Sequence, residues 1–211
     1  MEPRVVILAA GASSRLGEPK ALVDLPGGRP VLRLVRAARE ATGEDPLVVT
    51  GAHHGEIALA LAEELGASRS ADVLRPNPAW AAGRTGGVVL AARCAQGRDL
   101  CVLPVDHPRV GAARLRELFH AWSSAGSPER GWLAPGFRPV GASEDEPPRP
   151  GHPIVLGRAL VTALEAFPPD RPLRDLRAGA DPVWMTPTDD IAVVENLDHP
   201  EDLEEIRRAD S

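Results

Sequence analysis

Short runs of Val, Ile and Leu at residues 5–9, 47–50 and 100–105 are each closed off by polar or turn-forming residues, and none alternates strictly with polar positions. Continuous apolar runs of this length predict strands buried on both faces, as in a parallel sheet. Between them the spacing changes. Val31, Leu34, Val35 and Ala38, then Ile57, Leu61 and Leu65, recur three or four residues apart and so share one side of a helix. Pro30 and Gly43 bracket the first of these helices, and Gly55 and Gly66 the second, as start and stop signals. Further helices are predicted over residues 86–95, 111–123, 158–166 and 200–209. Strand and helix in alternation predict an α/β fold: a Rossmann-like three-layer sandwich with a mostly parallel sheet and helices on both faces. Prolines and acidic residues crowd together towards the end of residues 135–151, which predicts a surface loop near the substrate.

Length and composition narrow the picture further. A chain of 211 residues fits one domain over residues 1–211, and at that size it buries roughly 70% of the surface its unfolded form exposes. Tyr is absent and aromatics make up 3% of the chain, so Leu, Val and Ala must fill the core. The formal net charge of −6 argues against nucleic acid or an anionic membrane as a partner, while leaving room for a small anion at a locally basic site. Cys94 and Cys101 fall on a predicted helix and a predicted strand and read as free buried thiols. The apolar run at residues 5–10 is too short for a signal sequence, and no segment is long enough to span a bilayer, so a cytoplasmic protein is expected.

The chemistry concentrates in Leu8-Ala-Ala-Gly11-Ala-Ser-Ser-Arg15-Leu-Gly17-Glu-Pro-Lys20, directly after the first predicted strand. In an open α/β sheet, ligands bind beyond the carboxyl ends of the strands. Small residues there let backbone amides approach an anion, and Arg15 and Lys20 add fixed positive charge. The segment lacks both the Gly-x-Gly-x-x-Gly pattern and the Gly-Lys-Ser/Thr ending of a P-loop, which weakens the dinucleotide and P-loop readings. A tight β-to-α turn carrying two solvated cations is the plainer alternative. Asp106 follows the strand at residues 100–105 and faces the same rim, where a lone carboxylate is enough to begin a Mg²⁺ site; a turn or capping role stays open. Pro108 suits the first position of a following helix. His53 and His54 read as surface turn residues. Zinc is not expected, because close Cys or His pairs with ligand spacing are absent.

The pattern LAAGxSSRxGxxK resembles the signature of the MobA-like nucleotidyltransferase superfamily, closest to its molybdenum cofactor cytidylyltransferase branch, and successive elements from Val5 to Leu203 follow in that family's order. The resemblance implies a fold like that of the nucleotide-diphospho-sugar transferases. It also implies that Leu8, Ala9, Ala10, Gly11, Ser13 and Ser14 wrap the nucleotide, with Arg15 and Lys20 on phosphate oxygens; Leu16 stands where Met is usual. Asn77, Trp80, Gly83, Thr85 and Gly86 are similar to an NxxWxxGxxxS element that encloses base and ribose, although Trp80 has an alternative role as packing under the loop. Thr85, Gly86 and Gly87 depart from the family's serines, which leaves the base open between cytosine and guanine. Asp106-His107-Pro108 stands where the family has Asp-Gln-Pro, so Asp106 matches its metal-binding aspartate. Asn196 and Asp198 match the two aspartates of a C-terminal DIDTPEDL, and one of them would complete the Mg²⁺ shell; Asp198 has a rival role as a helix cap. Gly151-His152-Pro153 matches a GHP element, placing His107, Gly151 and His152 on the acceptor side, with a turn role as the alternative for His152.

The expected activity is transfer of a nucleotidyl group from a nucleoside triphosphate, with CTP favoured and GTP possible, to a phosphorylated small molecule such as molybdopterin. The resemblance further implies a protein partner from a molybdoenzyme pathway. A sugar-phosphate acceptor is the alternative within the class, and a non-catalytic nucleotide-binding regulator is the alternative outside it.

Overall fold

The computed structural model describes residues 1–83, 85–143 and 145–210. Its strands are β1 (Arg4–Ala9), β2 (Leu47–Thr50), β3 (Leu74–Pro76), β4 (Leu100–Pro104), β5 (Trp132–Phe137), β6 (Arg149–Pro150), β7 (Ile154–Leu156) and β8 (Val183–Thr188). The helices are α1 (Pro30–Thr42), α2 (His54–Leu65), α3 (Ala67–Val73), α4 (Thr85–Cys94), α5 (Ala112–Ser124), α6 (Arg158–Leu164) and α7 (Pro200–Ala209). One sheet runs β3-β2-β1-β4-β7-β5-β6, with β8 beside β5. The β3-β2-β1-β4 half is parallel, whereas β7 is antiparallel to both β4 and β5. β6 pairs antiparallel with β5 on the same edge as β7, and β8 pairs parallel with β5 on the other.

Alternation along the central strands sends side chains to two separate cores. Val5, Ile7 and Ala9 of β1 pack with α1, α2 and α5, whereas Val6 packs with α4 and α6. This is the expected three-layer α/β architecture, with the helices on both faces. Pro30 sits at the start of α1, and Gly43 closes it in a left-handed conformation, φ 73°. A third, smaller cluster joins Leu16, Val23 and Leu25 near the N-terminus to Leu197, Leu203 and Ile206 around α7. The C-terminal helix is thereby fixed beside the loop that follows β1. Arg33 and Arg109 reinforce this by reaching Asp210 at 2.5 and 3.0 Å.

Three expectations need correction. The stretch at residues 135–151 is not wholly loop: Pro135, Gly136 and Phe137 belong to the buried strand β5, and Arg149 and Pro150 form β6. Sequence pattern hides this strand because Pro and Gly interrupt it. Pro108 does not start a helix, since α5 begins at Ala112 with Gly111 as its cap. His53 and His54 are half-buried rather than surface residues; His54 Nδ1 lies 2.8 Å from Thr50 Oγ1 at the end of β2. Cys94 and Cys101 are both free thiols. Among the described residues no helix is long and apolar enough to cross a membrane.

Candidate active site

The loop after β1 is shaped by one residue above all. Ser13 adopts φ 55°, its carbonyl accepts the amides of Leu16 and Gly17 at 3.1 and 3.2 Å, and its hydroxyl accepts the amide of Lys20 at 3.0 Å. A side chain that hydrogen-bonds its own backbone locally favours such a turn. None of the five amides from Gly11 to Arg15 donates to another group among the described residues. All five residues line one cavity of about 1000 Å³. Unpartnered amides beside open space form a cradle for an anion. At Gly11 a side chain would project into that space and meet nothing within 4 Å, so its glycine leaves the opening clear.

The cradle is held from behind. Ala10 accepts the amide of Ala52 at 3.2 Å, and a Cβ on Gly51 would lie 2.4 Å from that same Ala10 carbonyl and 2.6 Å from Trp80 Cβ. Trp80 therefore packs against Gly51 under the loop and also lines the cavity. His53 Nε2 donates to the Ala12 carbonyl at 3.3 Å, while its Nδ1 lies 3.2 Å from Glu56.

Asp106 stands across the cavity, just past β4. The amide of Val105 donates to the Leu8 carbonyl at 3.1 Å, tying the exits of β4 and β1 together. The amide of Leu197 donates to the Asp106 carbonyl at 2.8 Å and brings the C-terminal segment alongside. Asp198 then meets the loop: its Oδ1 accepts from Lys20 Nζ, and its Oδ2 is 3.7 Å from the Arg15 guanidinium. Asp198 does not cap α7. His199 occupies the cap position, and Asp202 reaches back to accept the amides of Asp198 and His199 at 2.8 and 2.7 Å. The side chain of Asp198 is thus left for the site. Asn196 is exposed and lines the same cavity.

Asp106 Oδ1 is buried without a hydrogen-bond partner among the described residues. A buried carboxylate oxygen in that condition is costly unless a cation completes it. Together with Asp198 and the Asn196 carbonyl it offers hard oxygen donors of the kind Mg²⁺ takes when substrate phosphates supply the rest. No group of three or more His, Cys, Asp or Glu side chains suited to a metal forms among the described residues, so the donor set fits a metal shared with a phosphate rather than a closed protein cage.

His107 and His152 meet beside Asp106, with ring centroids 4.8 Å apart. Burial lowers the pKa of His107, an effect that the carboxylate of Asp106 and nearby backbone carbonyls of Ala192 and Glu195 oppose. His152 is pushed down to about 4, first by burial and then by His107. Its Nδ1 has no partner among the described residues, so the ring is not satisfying a turn. The backbone does that work: Gly151 donates to the Pro135 carbonyl and His152 to that of Val193, both at 2.8 Å. A Cβ on Gly151 would sit 2.5 Å from the Val193 carbonyl, so only glycine allows this approach.

Of the expected site residues, Leu8, Ala9, Ala10, Ser14, Gly83 and Thr85 also line the cavity. Asn77 and Gly86 do not. Asn77 is buried below, its Oδ1 accepting the Ala79 amide at 3.1 Å, and Gly86 lets the start of α4 pass close to Pro169 and Asn77. Thr85 turns its hydroxyl to the Arg171 carbonyl at 2.6 Å, so its oxygen braces the 168–172 segment. Sequence reasoning missed Gly51, His53, Arg149 and Arg174. A glycine directly after a strand was the available signal for Gly51; the arginines lie outside any motif.

A family model settles the relationship: the MobA-like NTP transferase domain matches residues 5–183. The chain belongs to the MobA-like NTP transferase family. That family is one of nucleotidyltransferases, and in this MobA-like chain the matched span carries the Ser13 loop, Asp106 and His152 but stops short of Asn196 and Asp198. Solved structures share the fold over nearly the full length. A Methanothermobacter nucleotidyl transferase is 23% identical with a TM-score of 0.76, covering 99% of this chain and 97% of its own. Rv0371c of Mycobacterium tuberculosis, solved in complex with manganese, is 20% identical with a TM-score of 0.69, covering 99% and 100%. The molybdopterin-guanine dinucleotide biosynthesis protein A of Archaeoglobus fulgidus is 17% identical with a TM-score of 0.63, covering 98% and 97%. A search of curated proteins returns no match.

Proposed function

We propose that this protein transfers a nucleoside monophosphate from a triphosphate to a phosphorylated small-molecule acceptor and releases pyrophosphate. An acceptor oxygen attacks the α-phosphorus, a new P–O bond forms, and the bond to the β-phosphate bridging oxygen breaks. The observation that carries this reading is the pairing of five unpartnered amides, Gly11 to Arg15, with the unsatisfied buried oxygen of Asp106 across one cavity. Positioning and charge stabilisation dominate such chemistry. The amides and Lys20 bind the β- and γ-phosphates and stabilise the charge that grows on the departing pyrophosphate. Arg15 adds a second cation to the same end. Asp106 and Asp198, with Asn196 beside them, would hold Mg²⁺, which when bound neutralises the α-phosphate and makes it a better electrophile. Burial of His107 and His152 keeps that side of the pocket dry and shapes the acceptor's approach.

CTP is the favoured donor in this reading and molybdopterin the acceptor, on the strength of the Asp106-His107-Pro108 and Gly151-His152-Pro153 triplets; the Archaeoglobus protein, named for the guanine dinucleotide, makes GTP the second candidate. Stabilisation by each of four triphosphates, with Mg²⁺ and with Mn²⁺, followed by pyrophosphate release on adding phosphorylated acceptors, tests it. The expected result is one preferred triphosphate and acceptor-dependent release. Binding with no release for any acceptor would turn the reading towards a regulator.

A further inference from the structure

The cavity carries two cations that the transfer reaction, as described, does not use. Arg149 lies on β6 and Arg174 in the 3-10 turn Leu173–Gly179; both are exposed, both line the cavity, and neither has a hydrogen bond or ion pair among the described residues. The carboxylate nearest in sequence to Arg174 is Asp175, which is engaged by Arg171 at 3.0 Å. Asp106 and Asp198 are the only carboxylates among the described lining residues, and Asp198 already faces Lys20 and Arg15. The two carboxylates of the cavity are thus matched by the two cations of the loop. The same cavity keeps two further guanidinium groups, Arg149 and Arg174, with no carboxylate facing them among its described lining, in a chain whose formal net charge is −6.

Topology places Arg149 away from the triphosphate cradle. The cradle follows β1, whereas β6 runs in line with β7 along one edge of β5, on the other side of β4 from β1, and Arg149 is joined through Gly151 to His152, whose ring rests on His107 beside Asp106. Arg174 enters from the segment that Thr85 braces through Arg171. Guanidinium forks match phosphate oxygens two at a time, and an isolated cation in a cleft concentrates anions there.

We infer that Arg149 and Arg174 form an anion clamp on the acceptor side of Asp106, built for a phosphate monoester borne by the acceptor. This rests on the proposed nucleotidyl transfer for its biological use but not for its test. The protein is first saturated with Mg²⁺ and the best-binding α,β-methylene nucleoside triphosphate, so that the cradle is filled. Phenyl phosphate is then titrated by calorimetry, with phenol as the uncharged control, against wild type, Arg149→Gln, Arg174→Gln and the double variant. The wild type should bind phenyl phosphate and not phenol. Each single change should weaken it on the order of tenfold and the double change more, with nucleotide affinity unchanged. Both positions are exposed, so the melting temperature should not move. Equal phenyl phosphate binding by wild type and double variant overturns the clamp, as does no binding by wild type, or a loss confined to the nucleotide. If the wild type takes up no nucleotide analogue, the transfer reading fails instead, and the phenyl phosphate titration of the protein alone still decides the clamp.

Discussion

Lys20 donates to Asp198 across 178 residues of sequence, and Arg15 sits 3.7 Å from the other oxygen of the same carboxylate. Residues from the first and last parts of the chain therefore meet at the candidate site, where one carboxylate faces both basic residues of the loop. On the proposed reading, a triphosphate that enters the cradle shares this pairing with its phosphates and their metal. In the proposed reaction Asp198 would hold these cations in the absence of ligand and share in holding the metal in its presence.

Lys20→Ala tests that arrangement. The lysine is part-buried but held by an ion pair at a cavity edge, so its loss should cost the fold little, about 1 kcal/mol. Its loss from the transition state should lower turnover by roughly 100-fold or more, as removal of a preorganised charge donor does. Wild-type turnover in the variant, measured by pyrophosphate release, would contradict the role given to Lys20.

Asp106→Asn should abolish metal-dependent turnover while leaving stability equal or slightly improved. The carboxylate oxygen Oδ1 is buried and unpartnered, so a neutral amide removes a desolvated charge at that point. Chelation of divalent metal in the wild type should mimic the variant kinetically, and denaturant unfolding reports the stability side. A large destabilisation in metal-free buffer would mean that Asp106 serves the fold.

How much of this was legible in the sequence follows from what each element needs. Continuous apolar runs marked β1, β2 and β4 because a strand covered on both faces cannot alternate, and proline and glycine bounded α1. β5 was not legible: Pro135 and Gly136 interrupt it, yet it is buried throughout because β7 and β6 take one side and β8 the other. Asp106 and Lys20 stood out because their chemistry is carried by a motif. Arg149 and Arg174 did not, since an arginine in a polar stretch reads as solvated surface until the fold shows which cavity it faces. Thr85 has a second engagement that its motif does not signal: it lines the cavity and its hydroxyl donates to the Arg171 carbonyl.

Gly51→Ala isolates the support beneath the cradle. The added methyl carbon would lie 2.4 Å from the Ala10 carbonyl and 2.6 Å from Trp80, and both belong to the nucleotide side. Relieving that overlap means moving backbone, which costs about 1–3 kcal/mol. Nucleotide binding should weaken in parallel, because Ala10 leads directly into the unpartnered amides. A variant that loses stability but keeps wild-type nucleotide affinity would separate the cradle from its support.

Stability should also fall on acidification in a way that traces to His152. Burial holds its folded pKa down to about 4, below the ordinary value of 6.5, so the native state keeps the ring neutral where the unfolded chain takes up a proton. The contribution is complete above pH 6.5, is lost as pH falls from 6.5 towards 4, and is flat below that; two and a half units correspond to about 3 kcal/mol at most. His107, facing it at 4.8 Å and lowered in the same direction, steepens the same window. His152→Gln removes one of the two titrating rings, so its loss of stability between pH 6.5 and 4 should be shallower than that of the wild type in urea unfolding. Parallel pH profiles for the two proteins would show that the ring is accessible to protons in the folded state at its ordinary pKa.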